Sequence, residues 1–198
     1  MKLEGFPQDL KLMDGTQVVV RPLGSKDAPA LLEFYRALPE EDRLYLRDDV
    51  TKPEWLDRFV SHVKHNEVVS LIAEQAGKVV GEASLYRALH GWTAHVGEIR
   101  TSVAPTLRRS GLGSVLARDL VKLAIGLGVE KMIVQMVESQ LPARRLFEKL
   151  GFRQEAVLRA HVKDIHGIKR DLVIASNDVS HLWEAMEALV SDFSPTVG

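Results

Sequence analysis

The residues from Val103 to Gly113, VAPTLRRSGLG, have the types and spacing to hold a multiply anionic group. A strand-like apolar run, Val96 to Val103, breaks at Pro105. Arg108 and Arg109 follow, then Gly111 and Gly113, then an apolar run at helical spacing from Leu112 to Leu127. Glycines at a strand-to-helix turn let the backbone approach a ligand closely, and the unpaired N–H groups of a first helical turn suit phosphate oxygens. Two guanidiniums add fixed positive charge in a fork that matches phosphate. The stretch reads as a pyrophosphate cradle.

Two common phosphate loops are excluded. A dinucleotide fingerprint needs a third glycine where this chain has Leu116, and a G-K-[ST] string is absent. What remains is R-x-x-G-x-G, from Arg108 through Gly111 to Gly113; from the loop alone an ordinary tight turn stays open. Other reactive constellations are thin. The chain has no cysteine, which removes disulfides, thiolate metal sites and a cysteine nucleophile. His62 and His65 share a helical face without a carboxylate at zinc-site spacing, so no metal site is expected. Neither G-x-S-x-G nor H-E-x-x-H occurs.

The elements that must position the loop follow from periodicity. Residues 1–13 read as a weakly ordered lead-in closed by the Asp14-Gly15 turn. Thr16 to Arg21 reads as a strand, Ser25 opens a helix carrying Leu31, Leu32 and Tyr35, and Pro39 opens a charged helix, PEEDRLYLRDD. A third helix runs from Pro53 to Val63. Val68 to Glu74, Val79 to Ala88 and His95 to Val103 form a strand meander. After the loop come a helix to Leu127, a strand from Lys131 to Val137 and a helix from Leu141 to Leu150. Strands Phe152 to Val162 and Ile168 to Ala175 and a final helix, Val179 to Asp192, complete the chain. The fold class expected is α+β, a three-layer α/β/α arrangement with a mostly antiparallel sheet of six to seven strands and helices on both faces.

At 198 residues the chain suits one domain with a real core. A net charge of -1 makes no electrostatic case for nucleic acid or an anionic membrane. No apolar run approaches the roughly 18 residues of a membrane span. MKLEGFPQDLKLMDG lacks the apolar core of a signal peptide, so the expected address is the cytoplasm.

The string QLPARRLFEKLGF, Gln140 to Phe152, stands some forty residues after the glycine loop. Together the two anchors resemble the GNAT superfamily of N-acyltransferases, whose loop is followed by an N-x-x-A helix ending in aromatic-E-K-x-G-F. The resemblance covers residues 14–176, which it implies are the N-acetyltransferase domain, with residues 177–198 a C-terminal helix and tail. It implies a sheet that splits where the strand ending near Val103 leaves the strand from Lys131, so that unpaired main-chain groups receive the pantetheine arm of acetyl-CoA as cosubstrate. On that resemblance Thr101, Ser102 and Val103 contact pantetheine, and Arg108, Arg109, Ser110, Gly111, Leu112, Gly113 and Ser114 surround the pyrophosphate. Gln140 replaces the common asparagine, and Ala143 and Phe147 complete the cofactor wall.

Amine acylation needs an uncharged nucleophile, and a lysine-like amine, with a pKa of about 10.4, is almost wholly protonated at neutral pH. A base must take its proton, directly or through water. Glu98, between apolar Ile99 and Val96, is the first candidate; bacterial protein-lysine acetyltransferases of the superfamily carry their glutamate at the matching offset. The bland alternative is a strand-face carboxylate paired with Arg100 or Arg87. Glu82 is the second candidate, and His95 a third. Phe147 departs from the family, where a tyrosine protonates the leaving thiolate. Acidic residues Glu40, Glu41, Asp42, Asp48 and Asp49 would favour a cationic acceptor or simply face water.

The implied activity is transfer of an acetyl group from acetyl-CoA to a primary amine, on a small molecule, a protein lysine or an N-terminus, by direct attack in a ternary complex. Two rivals stay open: a non-catalytic CoA-binding sensor, motivated by Phe147, and a protein-interaction module using the final helix. That helix would otherwise complete the core or a homodimer.

Overall fold

The computed structural model describes residues 5–181. Eight strands form one sheet in the order β1-β2-β3-β4-β5-β6-β8-β7. The ranges are β1 Gln8–Lys11, β2 Gln17–Pro22, β3 Val68–Gln75, β4 Lys78–Arg87, β5 Val96–Val103, β6 Lys131–Val137, β7 Arg153–Lys163 and β8 Lys169–Asp178. The helices are α1 Ala28–Ala37, α2 Glu40–Arg43, α3 Pro53–Lys64, α4 Leu112–Gly126 and α5 Leu141–Lys149. The three-layer α+β architecture is as expected, with one strand more. The lead-in is that strand: β1 pairs antiparallel with β2 from Gln8↔Val20 to Lys11↔Gln17. Leu10 and Leu12 face inward at period two, a signal too short to read without its partner.

The helix expected over PEEDRLYLRDD is also shorter. Only Glu40–Arg43 is helical; the chain then turns, and Asp49 accepts bonds from the backbone and hydroxyl of Thr51 (3.3 and 2.6 Å). A carboxylate that bonds its own neighbourhood offers the backbone an alternative to the helix. The expected final helix begins at Val179 and, beyond His181, lies outside the described residues.

Two cores flank the sheet. On one face α4 lays Leu112, Leu116, Leu120 and Val121, all fully buried, against Ala83, Leu85 and Ile99, and Phe147 of α5 joins the same cluster. This is the apolar stripe of an amphipathic helix meeting a sheet face. On the other face α1 and α3 pack Leu31, Phe34, Tyr35, Trp55 and Phe59 over Val68 and Ile72, with Trp55 stacked on Phe59 at 5.1 Å. Arg21 of β2 ties that layer down. Its guanidinium forks onto Asp27, just before α1, at 2.7 and 2.8 Å and onto Glu74 of β3 at 2.8 Å, which holds the Asp27 carboxyl below its usual value.

β5 and β6 run parallel, joined by the α4 crossover, and pair only over Val96↔Lys131, Gly97↔Met132 and Glu98↔Ile133. Gly97 permits this close junction. A Cβ there would stand 2.6 Å from Leu85 Cδ1 and 3.2 Å from Val129 Cγ1. Beyond it each strand keeps its antiparallel partner, β5 with β4 and β6 with β8, while the two lose each other. The sheet is therefore split, and a cleft opens beside Ile99 to Val103. Among the described residues no helix is long and apolar enough to cross a membrane.

Candidate active site

Which backbone groups line the cleft follows from register. Ala104 donates to Val80 O at 2.9 Å, so the facing pairs Glu82↔Ser102 and Ser84↔Arg100 are those that exchange hydrogen bonds. The main chain of Ser102 is thus turned to β4, while those of Thr101 and Val103 are turned to the open side. Opposite them, Glu138 donates to Asp171 O at 3.1 Å on β8, which leaves the odd residues of β6 facing the cleft. Val137 N–H is already taken, by Gln140 Oε1 at 2.8 Å. Gln140 thereby precedes α5 with its amide nitrogen still available, as one carbon more than asparagine allows.

At the far end of β5 the loop turns through two left-handed residues, Arg109 (φ 63°) and Gly111 (φ 92°). Alternating handedness of this kind points successive N–H groups into one concavity. Among the described residues, the amides of Arg109, Gly111, Gly113 and Ser114 have no acceptor. Ser110 and Leu112 have another task. Ser110 is buried, its Oγ donates to Leu107 O at 2.7 Å, and Leu112 is fully buried in the core. They hold the loop's shape while their neighbours' amides are presented. A Cβ on Gly111 would meet Met13 Sδ at 3.3 Å, and Met13 N bonds Ser110 O at 3.1 Å, so the β1–β2 turn braces the loop from behind. These unpaired donors at the start of a 15-residue helix fit a pyrophosphate.

At the other end, Glu98 is the last β5 residue still paired with β6. Its side chain is 14% exposed, and Oε1 accepts from Arg100 Nε at 2.9 Å and forms an ion pair with Arg47 Nη2 at 2.8 Å. Arg100 lies over the Tyr86 ring, 3.8 Å from the centroid, a cation–π contact that fixes it to β4.

Glu82 sits on the same face of the sheet in a wholly different setting. It is 2% exposed. Oε2 accepts from Tyr35 Oη at 2.9 Å, and Oε1 from Ser70 Oγ at 2.7 Å and from Ser84 Oγ. Burial pushes its carboxyl above the usual value, against the pull of those three hydroxyls, and pushes the Tyr35 phenol well up too. Its contacts are those of a satisfied core carboxyl. Phe147 is likewise buried, edge-on to Phe152 at 5.1 Å, and Ala143 packs half-buried against the same core.

The charged segment from Glu40 to Asp49 runs beside the cleft. Asp42 pairs with Arg108, Tyr45 Oη accepts from Ser139 Oγ at 3.3 Å beyond the end of β6, and Arg47 pairs with Glu98. Glu40 stands 3.4 Å from His166, at the tip of the β7–β8 hairpin. Three of the five acidic residues, Glu40, Asp42 and Asp49, are therefore engaged within the protein. Among the described residues no cluster of histidine and carboxylate groups could hold a metal.

The sequence matches the family described as Acetyltransferase (GNAT) family over residues 30–152. It is 28% identical over 163 residues to an N-alpha-acetyltransferase of Sulfurisphaera tokodaii, covering 76% of this chain and 89% of that one. Over 84 residues, 40% of this chain and 54% of the other, it is 38% identical to a glucosamine 6-phosphate N-acetyltransferase of Trypanosoma brucei brucei. In structure it resembles Mycobacterium smegmatis RimJ in complex with CoA-disulfide, with a TM-score of 0.75 at 19% identity over 96% of each chain. It also resembles the GNAT domain of S. lividans PAT, with a TM-score of 0.73 at 22% identity, over 90% of this chain and 99% of that one.

Proposed function

The chain belongs to the GNAT family of acetyltransferases, and from that premise we propose that it transfers an acetyl group from acetyl-CoA to a primary amine by direct attack in a ternary complex. The observation that carries this reading is the alignment of three features along one cleft. A fan of unpaired amides lies at the loop, the cleft-facing main chain of Thr101 and Val103 comes next, and Glu98 stands where the strands part.

On this reading the amides of Arg109, Gly111, Gly113 and Ser114, with the Arg108 guanidinium, hold the pyrophosphate. Thr101 and Val103 bond the amide-rich pantetheine arm as a neighbouring strand would. The Gln140 amide nitrogen adds a donor from the opposite wall. When bound, acetyl-CoA supplies an acyl group already activated as a thioester. Glu98 takes a proton from the acceptor ammonium, through Oε2 or one water; the freed amine forms the new N–C bond as the C–S bond breaks, and the nitrogen's surplus proton passes through solvent to the departing thiolate. Phe147 has no proton to give, so the thiolate leaves without help from that position.

The acceptor is a primary amine on a small molecule, a protein lysine or an N-terminus. The names of the relatives divide between a protein α-amine and an amino sugar phosphate, so the test must span both. The experiment is thiol release from acetyl-CoA against amines, amino sugars, lysine peptides and free N-terminal peptides, wild type beside Glu98→Gln. Release that depends on acceptor and collapses in the variant is expected. CoA binding with no release from any acceptor would favour the sensor reading; release unchanged in Glu98→Gln would remove Glu98 from the chemistry.

A further inference from the structure

Glu98 is not held by its own strand alone. Arg100, two residues on, reaches Oε1 from β5 and is fixed against Tyr86 of β4. Arg47 reaches the same oxygen from a different layer, the turn after α2. Resting on the reading of Glu98 as base, we propose that Arg47 is its positioning residue. It closes the second half of a clamp on Oε1 and leaves Oε2 as the one carboxylate oxygen turned to the acceptor.

The argument is geometric. A glutamate at the edge of an opening cleft has three rotatable side-chain bonds, and ordering them costs free energy that a single contact seldom offsets. Two guanidiniums converging within 2.9 Å hold that one oxygen in place from two different elements. Among the described residues Oε2 has no partner, so the lone pairs left over belong to a single atom. The pair is also shielded. Glu98 is 14% exposed, and burial lowers Arg47 below its usual value. The charged and titratable groups about Glu98 are Arg47 and neighbouring Asp48 from the turn, Arg100 from β5 and Tyr86 from β4.

The same turn explains why Arg47 arrives in register. Five residues earlier Asp42 is tied to Arg108, and Tyr45 between them bonds Ser139. A side chain tethered on both sides of the cleft delivers its guanidinium to one place. Arginine suits the task through its planar fork; lysine would bring the charge as a point.

The test compares Arg47→Gln and Arg47→Lys with wild type. For Arg47→Gln we expect kcat to fall about tenfold, a loss of aim rather than of the base itself. The KM for acceptor and the affinity for CoA should hold within about twofold. Arg47→Lys, which returns the charge without the planar fork, should recover kcat only in part. A raised acceptor KM at unchanged kcat would overturn the proposal, because Arg47 would then contact the acceptor. An unchanged kcat in Arg47→Gln would overturn it as well. Should the wild type turn over no acceptor, the base reading fails by itself, and a crystal structure of Arg47→Gln decides the positioning. Glu98 in a second rotamer supports the clamp, and Glu98 unmoved refutes it.

Discussion

The two ends of the cleft are built on opposite plans. At the loop end the ligand-facing groups are backbone amides, aimed by φ values that Gly111 permits and Arg109 tolerates, over an N-terminal turn that braces them from behind. At the other end they are side chains: Glu98 clamped by Arg47 and Arg100, with Tyr86 beneath. A backbone site is a local object, encoded in about ten consecutive residues by glycine spacing and a helix start. A side-chain site is assembled from strands and turns that meet only in the folded chain. On the proposed reading the first plan holds the cosubstrate and the second acts on the acceptor.

Breaking each end separately should therefore produce separable defects. The largest effect is expected from Glu98→Gln: kcat lower by about 10²–10⁴-fold with CoA affinity unchanged, measured by steady-state thiol release and calorimetric titration. Loss of CoA affinity in that variant would break the comparison, since the two ends would then not be independent. Gly111→Ala attacks the other end. An L-residue at φ 92° costs about 1–2 kcal/mol of stability and rotates the amide fan. We expect CoA binding about tenfold weaker, read by titration, with kcat at saturation nearly kept.

A smaller effect sharpens the contrast between Glu98 and buried Glu82. Burial raises the folded-state value of Glu82, so over a pH window the folded chain holds a proton that the unfolded chain has released. The stability this confers is complete below the ordinary carboxylate value and is lost as pH rises through the raised one. Thermal unfolding of Glu82→Gln beside wild type, from about pH 5 to about pH 8, should show the variant gaining on wild type as pH increases. A constant gap would contradict this.

The smallest effect concerns Asp42, which is tied to the arginine proposed for the pyrophosphate. Freeing Arg108 of an exposed ion pair is worth a fraction of a kcal/mol to one, so Asp42→Asn should bind CoA about two- to fivefold more tightly. An affinity of pantetheine fragments lacking the pyrophosphate should not move.

The same division accounts for what could be read in the amino-acid sequence. The loop, α4, the strands on either side of it and the order of layers follow from glycines, prolines and hydrophobic period, while their splitting follows from the family resemblance, and the structure has them at those places. β1 escaped because four alternating residues carry no message without β2. The turn after α2 escaped because LYLRDD has helical spacing, and what overrides it is Asp49 bonding Thr51 beside it together with Tyr45 bonding Ser139, ninety-four residues away. The Glu82 partners Tyr35 and Ser70 lie on other elements in the same way. Nothing in the local pattern distinguishes Arg47 from any exposed helical arginine. The distinction exists only once β5 and the turn are side by side.

The central claim is that one cleft holds acetyl-CoA, with its pyrophosphate on the loop and its arm along β5. It is tested most directly by titrating CoA into ¹⁵N-labelled protein and following individual amides by NMR shift and hydrogen exchange. The account predicts shifts and slowed exchange at Gly111, Gly113 and Ser114 together with Thr101 and Val103. The amide of Ser102, bonded across to β4, should change least among its neighbours. Changes confined to another surface, or binding that leaves the loop amides as they were, would contradict it.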